Sequence, residues 1–141
     1  MRCMVIVKAT ADSEAGVLPS EKDLAEMGAY NEELVNAGVM LDGAGLHAST
    51  KGVRLEYGDE GVQVTDGPFA ETKELIAGYW IWEVASFEEA IEWARRIPFT
   101  HGEGVEIRQV FEAEDFGEEY TPELQARDAA LDAKIQEQHG S

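Results

Sequence analysis

The order of hydrophobic patterns in this chain predicts an α+β fold, an antiparallel sheet backed by helices in the ferredoxin-like split βαβ plan with an inserted hairpin. Three observations lead there. Strand-like and helix-like patterns follow one another as β-α-β, a hairpin, then β-α-β. Ser20 with Asp23 and Ser86 with Glu89 have the spacing of helix-start capping boxes. The stretch 75–84, Leu-Ile-Ala-Gly-Tyr-Trp-Ile-Trp-Glu-Val, is apolar on both alternating faces, as a strand covered on two sides must be.

Residues 2–8 are rich in β-branched side chains and read as the first strand. A polar loop runs from there to Pro19. Beyond the Ser20 cap, Leu24, Met27, Leu34 and Val35 recur at helical spacing, and Gly38 is a helix stop, which predicts a helix over about 21–37. Residues 39–47 read as a strand in which Gly43 and Gly45 allow a bulge or a close backbone approach. Val53, Leu55 and Tyr57 alternate with polar residues, and Gly58-Asp59-Glu60-Gly61 turns that strand into Val62-Gln63-Val64. After strand 75–84, the side chains of Phe87, Ala90, Ile91, Ala94 and Ile97 line one face of a second helix that Pro98 ends. Residues 104–112 supply the last strand.

The tail has a different composition. Residues 112–120 form an acidic linker with two aromatics, and Thr121-Pro122 opens a further helix whose apolar stripe, Leu124, Leu131 and Ile135, is thin. The expected organisation is a core domain at 1–113 and an acidic linker with a C-terminal helix at 114–141.

Two helices cover one face of a sheet. Strand 75–84 carries Ile76, Trp80, Trp82 and Val84 on one side and Leu75, Ala77, Tyr79 and Ile81 on the other. A second copy of the chain is the expected cover for the open face, with Trp80 and Trp82 as residues that a lone chain would expose. Burying about 500 Å² of apolar area per chain would contribute about 12 kcal/mol before the cost of association.

Charge excludes several partners. The 141 residues include 29 acidic against 11 Lys plus Arg, a formal net charge of -18. Nucleic acid and anionic membrane surfaces are therefore not expected partners. The N-terminal apolar run is too short for a secretory signal, and no stretch reaches the ~20 apolar residues of a membrane span. Cys3 is the single cysteine, so an internal disulfide is impossible; a cytoplasmic protein is the expectation. His47, His101 and His139 lack zinc-ligand spacing, and no P-loop, dinucleotide or H-E-x-x-H motif occurs, so neither a metal nor a cofactor is expected.

The segment Asp66-Gly67-Pro68-Phe69-Ala70-Glu71-Thr72-Lys73-Glu74 packs a turn, an aromatic and several charges ahead of the apolar strand. Gly tolerates positive φ and Pro fixes its own φ, so a sharp change of direction is expected there. His47, at the end of a Gly-rich strand, is a candidate general acid or base, and Asp66 a candidate to orient it. In an extended segment Glu71 and Lys73 would share a side, with Lys73 available to an anionic group. Phe69 is a candidate substrate contact. Arg108 is read as a cross-strand ion pair with Glu106 or as an anion-binding group, and His101 as an alternative base.

The same nine residues resemble the hallmark of the DGPF branch of the YCII-related proteins. The Gly-rich segment 38–49, the helix 86–98 and Val105-Glu106-Ile107-Arg108-Gln109-Val110 resemble further parts of that family in the same order. The resemblance covers about residues 1–113 and implies a dimeric α/β barrel with a His–Asp pair at its site, carried over here to His47 and Asp66. Proteins similar to this family are linked to dehydrochlorination or lactone isomerisation. Two functions remain open. One is a cofactor-free acid–base enzyme, an isomerase or lyase acting on a small cyclic substrate. The other is a non-catalytic dimeric protein that binds a small ligand or regulates.

Overall fold

The computed structural model describes residues 1–100 and 102–140. The chain forms two compact units, Met1–Val110 and Phe111–Ser141. The first is a mixture of helices and antiparallel sheet, as expected. Its strands are β1 (Arg2–Lys8), β2 (Met40–Gly45), β3 (Val53–Gly58), β4 (Gly61–Asp66), β5 (Ile76–Glu83) and β6 (Val105–Gln109), and its helices α1 (Ala11–Glu14), α2 (Glu21–Asn36) and α3 (Phe87–Arg95). Four strands form one antiparallel sheet in the order β2-β5-β1-β6, while β3 and β4 pair only with each other.

Local chemistry explains the helix ends. Ser20 accepts the Asp23 N–H at 3.1 Å and Asp23 accepts the Ser20 N–H at 3.2 Å, so two backbone donors that lack helical partners are satisfied reciprocally. At the far end Gly38 adopts φ 74°, the left-handed conformation that stops a helix. The second box forms only in part. Ser86 Oγ accepts the Glu89 N–H at 3.2 Å, but Glu89 reaches past Ser86 to the Ala85 N–H at 2.9 Å. The polar loop expected before Pro19 contains the short helix α1, started by its own box between Thr10 and Ser13.

The core lies between the sheet and helices α2 and α3. Val5 pairs with Trp80 on one side and Ile107 on the other, and Cys3 pairs with Trp82, so these side chains share one face. Tyr30 and Leu34 from α2, Ala90 from α3 and Ile97 pack with them. The α2 stripe differs from the expected one: Leu24 and Val35 are each 59% exposed, and the buried positions are Tyr30 and Leu34.

This arrangement corrects the expectation for the tryptophans. Trp80 is 6% exposed and Trp82 is fully buried, both under helices of their own chain. They share the register of Cys3 and Val5, and the apolar stripes of the helices close on that face. The uncovered side instead carries Met4 opposite Ile81 and Ile6 opposite Tyr79, all half-buried. Burial raises the Cys3 thiol pKa, with the N-terminal ammonium opposing and Glu83 adding to the shift, so Cys3 stays a protonated core group.

The second unit holds α4 (Pro122–His139), started by Thr121, whose Oγ1 accepts the Leu124 N–H at 3.3 Å, with Pro122 in the first turn. Within this unit Phe111 stacks on Phe116 at 4.9 Å and Phe116 packs on Tyr120 at 5.2 Å. Tyr120 donates to Asp128 at 2.6 Å, which ties the linker to α4.

The two core tryptophans differ in one respect. The Trp80 indole N–H donates to Asn31 Oδ1 at 2.9 Å, whereas the buried Trp82 N–H has no acceptor. Replacing either with Phe removes similar volume, but only Trp80→Phe breaks a bond and strands a polar partner. Trp80→Phe should destabilise the fold by about 1 kcal/mol more than Trp82→Phe in urea unfolding. Equal losses would show that the indole hydrogen bond contributes nothing.

Candidate functional site

A cleft of about 350 Å³ opens between α2 and the β2–β5 edge of the sheet. Its apolar walls come from Val7, Met27, Met40, Trp80 and Phe99. The floor consists of small residues, Gly43-Ala44-Gly45 from β2 and Ala77-Gly78 from β5. Gly78 is needed there: a Cβ on it would lie 2.8 Å from the Ala44 carbonyl oxygen and 3.3 Å from Gly45 Cα, forcing the strands apart. β2 also carries a register shift between Met40 and Asp42.

One wall is held by aromatic contacts. Trp80 meets Tyr30 edge to face at 6.0 Å and packs at a tilt of 40° on Trp82 at 5.8 Å. The Tyr30 hydroxyl donates to the Trp93 carbonyl at 2.6 Å, and burial holds its pKa well above the usual phenol range, against the opposing charge of Arg96 and with a contribution from Glu33. Tyr30 thus remains a neutral donor at physiological pH. Asn31 brings a polar side chain to the cleft, whereas the Tyr79 side chain projects from the opposite face of β5; among the described residues no acidic or basic one lines the cleft.

The turn 66–74 is built by packing against residues distant in sequence. The Gly67–Pro68 peptide is cis, and Gly67 is not among the residues with positive φ. Glycine is required for a different reason than the one expected: a Cβ there would fall 1.8 Å from the Ser49 carbonyl oxygen. Gly67 N–H donates to Gly52 O at 2.9 Å, and Phe69 N–H to Ser49 Oγ at 3.0 Å. Ser49 in turn gives its hydroxyl to Glu14 Oε1 and its N–H to Glu14 Oε2 at 2.9 Å. The Arg54 guanidinium lies 3.9 Å from the Phe69 ring centroid and 3.5 Å from Glu71. α1, the 49–52 turn and the β3–β4 hairpin therefore hold the loop jointly.

The residues singled out in the sequence are scattered. His47 follows β2 and is exposed; Asp66 ends β4 and is exposed; no hydrogen bond joins them. Lys73 lies in a 3₁₀ turn, Thr72–Glu74, rather than an extended segment, so Glu71 pairs with Arg54 and not with Lys73. Phe69 is half-buried in the loop just described. Arg108 pairs with Glu106 at 3.2 Å along the same strand, and the cross-strand partner of Glu106 is Lys8 at 3.3 Å. Hydrogen bonds from Arg108 and then Lys8 lower the Glu106 pKa. His101 lies outside the described residues.

Sequence reasoning passed over Glu14, Ser49, Arg54 and Asn31. A signal existed for two of them: Thr10 and Ser13 have capping-box spacing just before Glu14, and Asn31 follows Met27 by one helical turn on the apolar stripe.

Residues 1–114 match the family model of the YCII-related domain. The chain belongs to the YCII-related domain family. It is similar to an uncharacterised protein of Rhizobium meliloti (strain 1021), 35% identical over 75 residues, a match spanning 53% of this chain and 60% of that protein. Among solved structures it is similar to a 5-chloro-2-hydroxyhydroquinone dehydrochlorinase from Burkholderia phenoliruptrix in complex with 2,5-dihydroxybenzoquinone, at TM-score 0.43 and 19% identity, covering 81% of this chain and 98% of that one. Among the described residues no group of three or more His, Cys, Asp and Glu is placed to hold a metal ion, and no helix is long and apolar enough to cross a membrane.

The loop's steric requirement is measurable. Gly67→Ala should destabilise the protein by about 3 kcal/mol in urea unfolding, since backbone must move to admit the methyl group. Gly58→Ala, whose Cβ would meet its nearest atom at 3.9 Å, serves as the tolerated control. Equal stability of the two variants would refute the tight contact.

Proposed function

We propose that this protein is a homodimer that binds a small, apolar molecule in the cleft beneath α2. The observation that carries the reading is the cleft itself: about 350 Å³, walled by apolar and aromatic side chains and floored by glycine and alanine. Sites for small molecules are commonly concave and apolar, with few polar groups to orient the ligand. His47 and Asp66, both exposed and not hydrogen-bonded to one another, give the binding reading more support than the catalytic one.

Two surfaces support assembly into a dimer of ferredoxin-like barrels. On the open sheet face, Met4, Ile6, Ile81 and Tyr79 form a half-buried apolar centre. Lys8 from β1 with Glu106 and Arg108 from β6 flank it, a polar rim beside an apolar patch. The hairpin supplies the second surface. Val53, Leu55 and Tyr57 share one side with Val62 and Val64, and all are at least 46% exposed. A two-stranded hairpin is marginal in water without a packing partner. Like charge on the two copies opposes association, but a screening length of about 8 Å at physiological salt confines that repulsion to the rim.

A second reading adds turnover on a small cyclic substrate. It is favoured by the place of His47, two residues beyond Gly45, which lines the cleft, on a segment anchored by the Leu46 N–H to Ala77 O at 2.8 Å. In that reading His47 is the acid–base group, Asp66 orients it, and Lys73, Phe69 and Arg108 contact the substrate.

Light scattering should give twice the 15.5 kDa chain mass, and Ile81→Lys should give the single chain. A stable wild-type monomer at micromolar concentration would remove the dimer. For the ligand, Gly45→Leu is the sharp variant: a side chain at Gly45 meets nothing within 4 Å and would project into the cleft. It should keep the fold and abolish the shift of the Trp80 indole resonance that tetralin, an uncharged hydrocarbon, induces in the wild type. Any turnover found in a substrate screen that survives His47→Ala unchanged would eliminate His47 as the base.

A further inference from the structure

Asn31 is the polar group of the cleft whose hydrogen-bonding sense is set by its surroundings. It projects from α2 beside Met27 and Trp80, and its Oδ1 accepts the Trp80 indole N–H at 2.9 Å. An indole nitrogen donates and never accepts, so the amide must turn its oxygen toward Trp80. Trp80 is itself immobile, 6% exposed and wedged between Tyr30 and Trp82. The amide nitrogen is left with two N–H donors, and no hydrogen bond uses them. The cleft thus offers a donor of fixed orientation among apolar walls.

The remaining lining narrows the ligand. Among the described residues no Lys, Arg or His lines the cleft to neutralise a carboxylate or phosphate, and the chain's net charge of -18 repels anions at longer range. Among the described residues no acidic side chain lines it to hold a cation. An uncharged ligand suffers neither penalty. An N–H donor inside an apolar cavity calls for an acceptor, since leaving it unpaired against a buried ligand forfeits its hydration.

We propose that the cleft selects uncharged, ring-sized apolar molecules bearing a carbonyl oxygen, which accepts a hydrogen bond from Asn31 Nδ2. This deepens the small-molecule reading above and rests on it. Asn31 acts as the specificity-determining residue and Trp80 as the residue that positions it. The floor of Gly43-Ala44-Gly45 and Ala77-Gly78 leaves room for a flat ring against the indole face.

The test uses a matched pair of probes on the full-length protein, 1-tetralone and tetralin, which differ by a carbonyl in place of a methylene. The variant is Asn31→Asp, examined at pH about 8, where the carboxylate is ionised. One carboxylate oxygen can still accept the Trp80 N–H, but the other presents an acceptor to the ligand where the wild type presents a donor. Binding is followed by the Trp80 indole and Asn31 side-chain amide resonances. Asn31→Asp should weaken 1-tetralone about tenfold or more and leave tetralin within about twofold. In the wild type, 1-tetralone should shift the Asn31 amide protons downfield and tetralin should not, a reading that depends on no variant. If both probes bind but the variant weakens them equally, or neither, the carbonyl assignment is overturned while the cleft keeps its role. If neither probe binds the wild type, the cleft is not a ligand site and both readings fall.

Discussion

Strand β5 must be buried on two faces by two different means, and the rest of the first unit follows from that demand. Its even-numbered side, Trp80 and Trp82, is sealed by α2 and α3 of the same chain. Fully burying side chains of this size contributes about 2–3 kcal/mol each, so the helices are fixed where those indoles lie. Its odd-numbered side, Tyr79 and Ile81, receives only Met4 and Ile6 from β1 as same-face neighbours. The asymmetry gives the sheet one finished face and one unfinished face. It also divides the labour: the cleft proposed to hold a ligand sits on the finished side, and the surface proposed for assembly on the other.

Much of the fold was legible because it is locally encoded. The Ser20–Asp23 box, the Gly38 stop and the period-two pattern of β3 and β4 each act within a few residues, and each was read from spacing alone. The family resemblance, read from the Asp66–Glu74 segment, agrees with the match over residues 1–114. Errors arose where tertiary contacts decide. Leu24 and Val35 have helical spacing but face solvent, because the line of α2 over the sheet is set by Trp80 and Trp82, not by the helix's own hydrophobicity. Which face of β5 the helices choose is likewise not written in β5, whose two faces are about equally apolar. It is settled by the register with Cys3 and Val5.

The site was less legible than the fold. Titratable residues at strand ends attract attention in a sequence, and His47 and Asp66 did so, yet neither lines the cleft. The turn 66–74 was correctly seen as ordered, but for the wrong physical reason. Gly67 is there to let its chain pass against the Ser49 carbonyl, a contact spanning 18 positions that no local pattern reveals. Glu14 and Ser49 are similarly invisible as a pair, since their hydrogen bonds join residues 35 positions apart. Asn31 is an ordinary helical asparagine until Trp80 is placed beside it.

The acidity of the chain acquires a more specific meaning in this setting. A net charge of -18 was first a reason to exclude nucleic acid and membranes. The same field, acting on a cleft with no ionisable lining among the described residues, would also discriminate among small molecules under the proposed function. An anion approaching it meets repulsion at distance and no cation among the described lining residues; a cation is attracted to the surface, where the carboxylates are, and has no reason to leave water for an apolar cavity. A neutral molecule is indifferent to the field and gains from the indole wall and the floor of small residues. Charge and packing therefore favour the same proposed class of ligand, and within that class the oriented Asn31 donor, held by a tryptophan that can only donate, would separate a carbonyl compound from a hydrocarbon of the same shape.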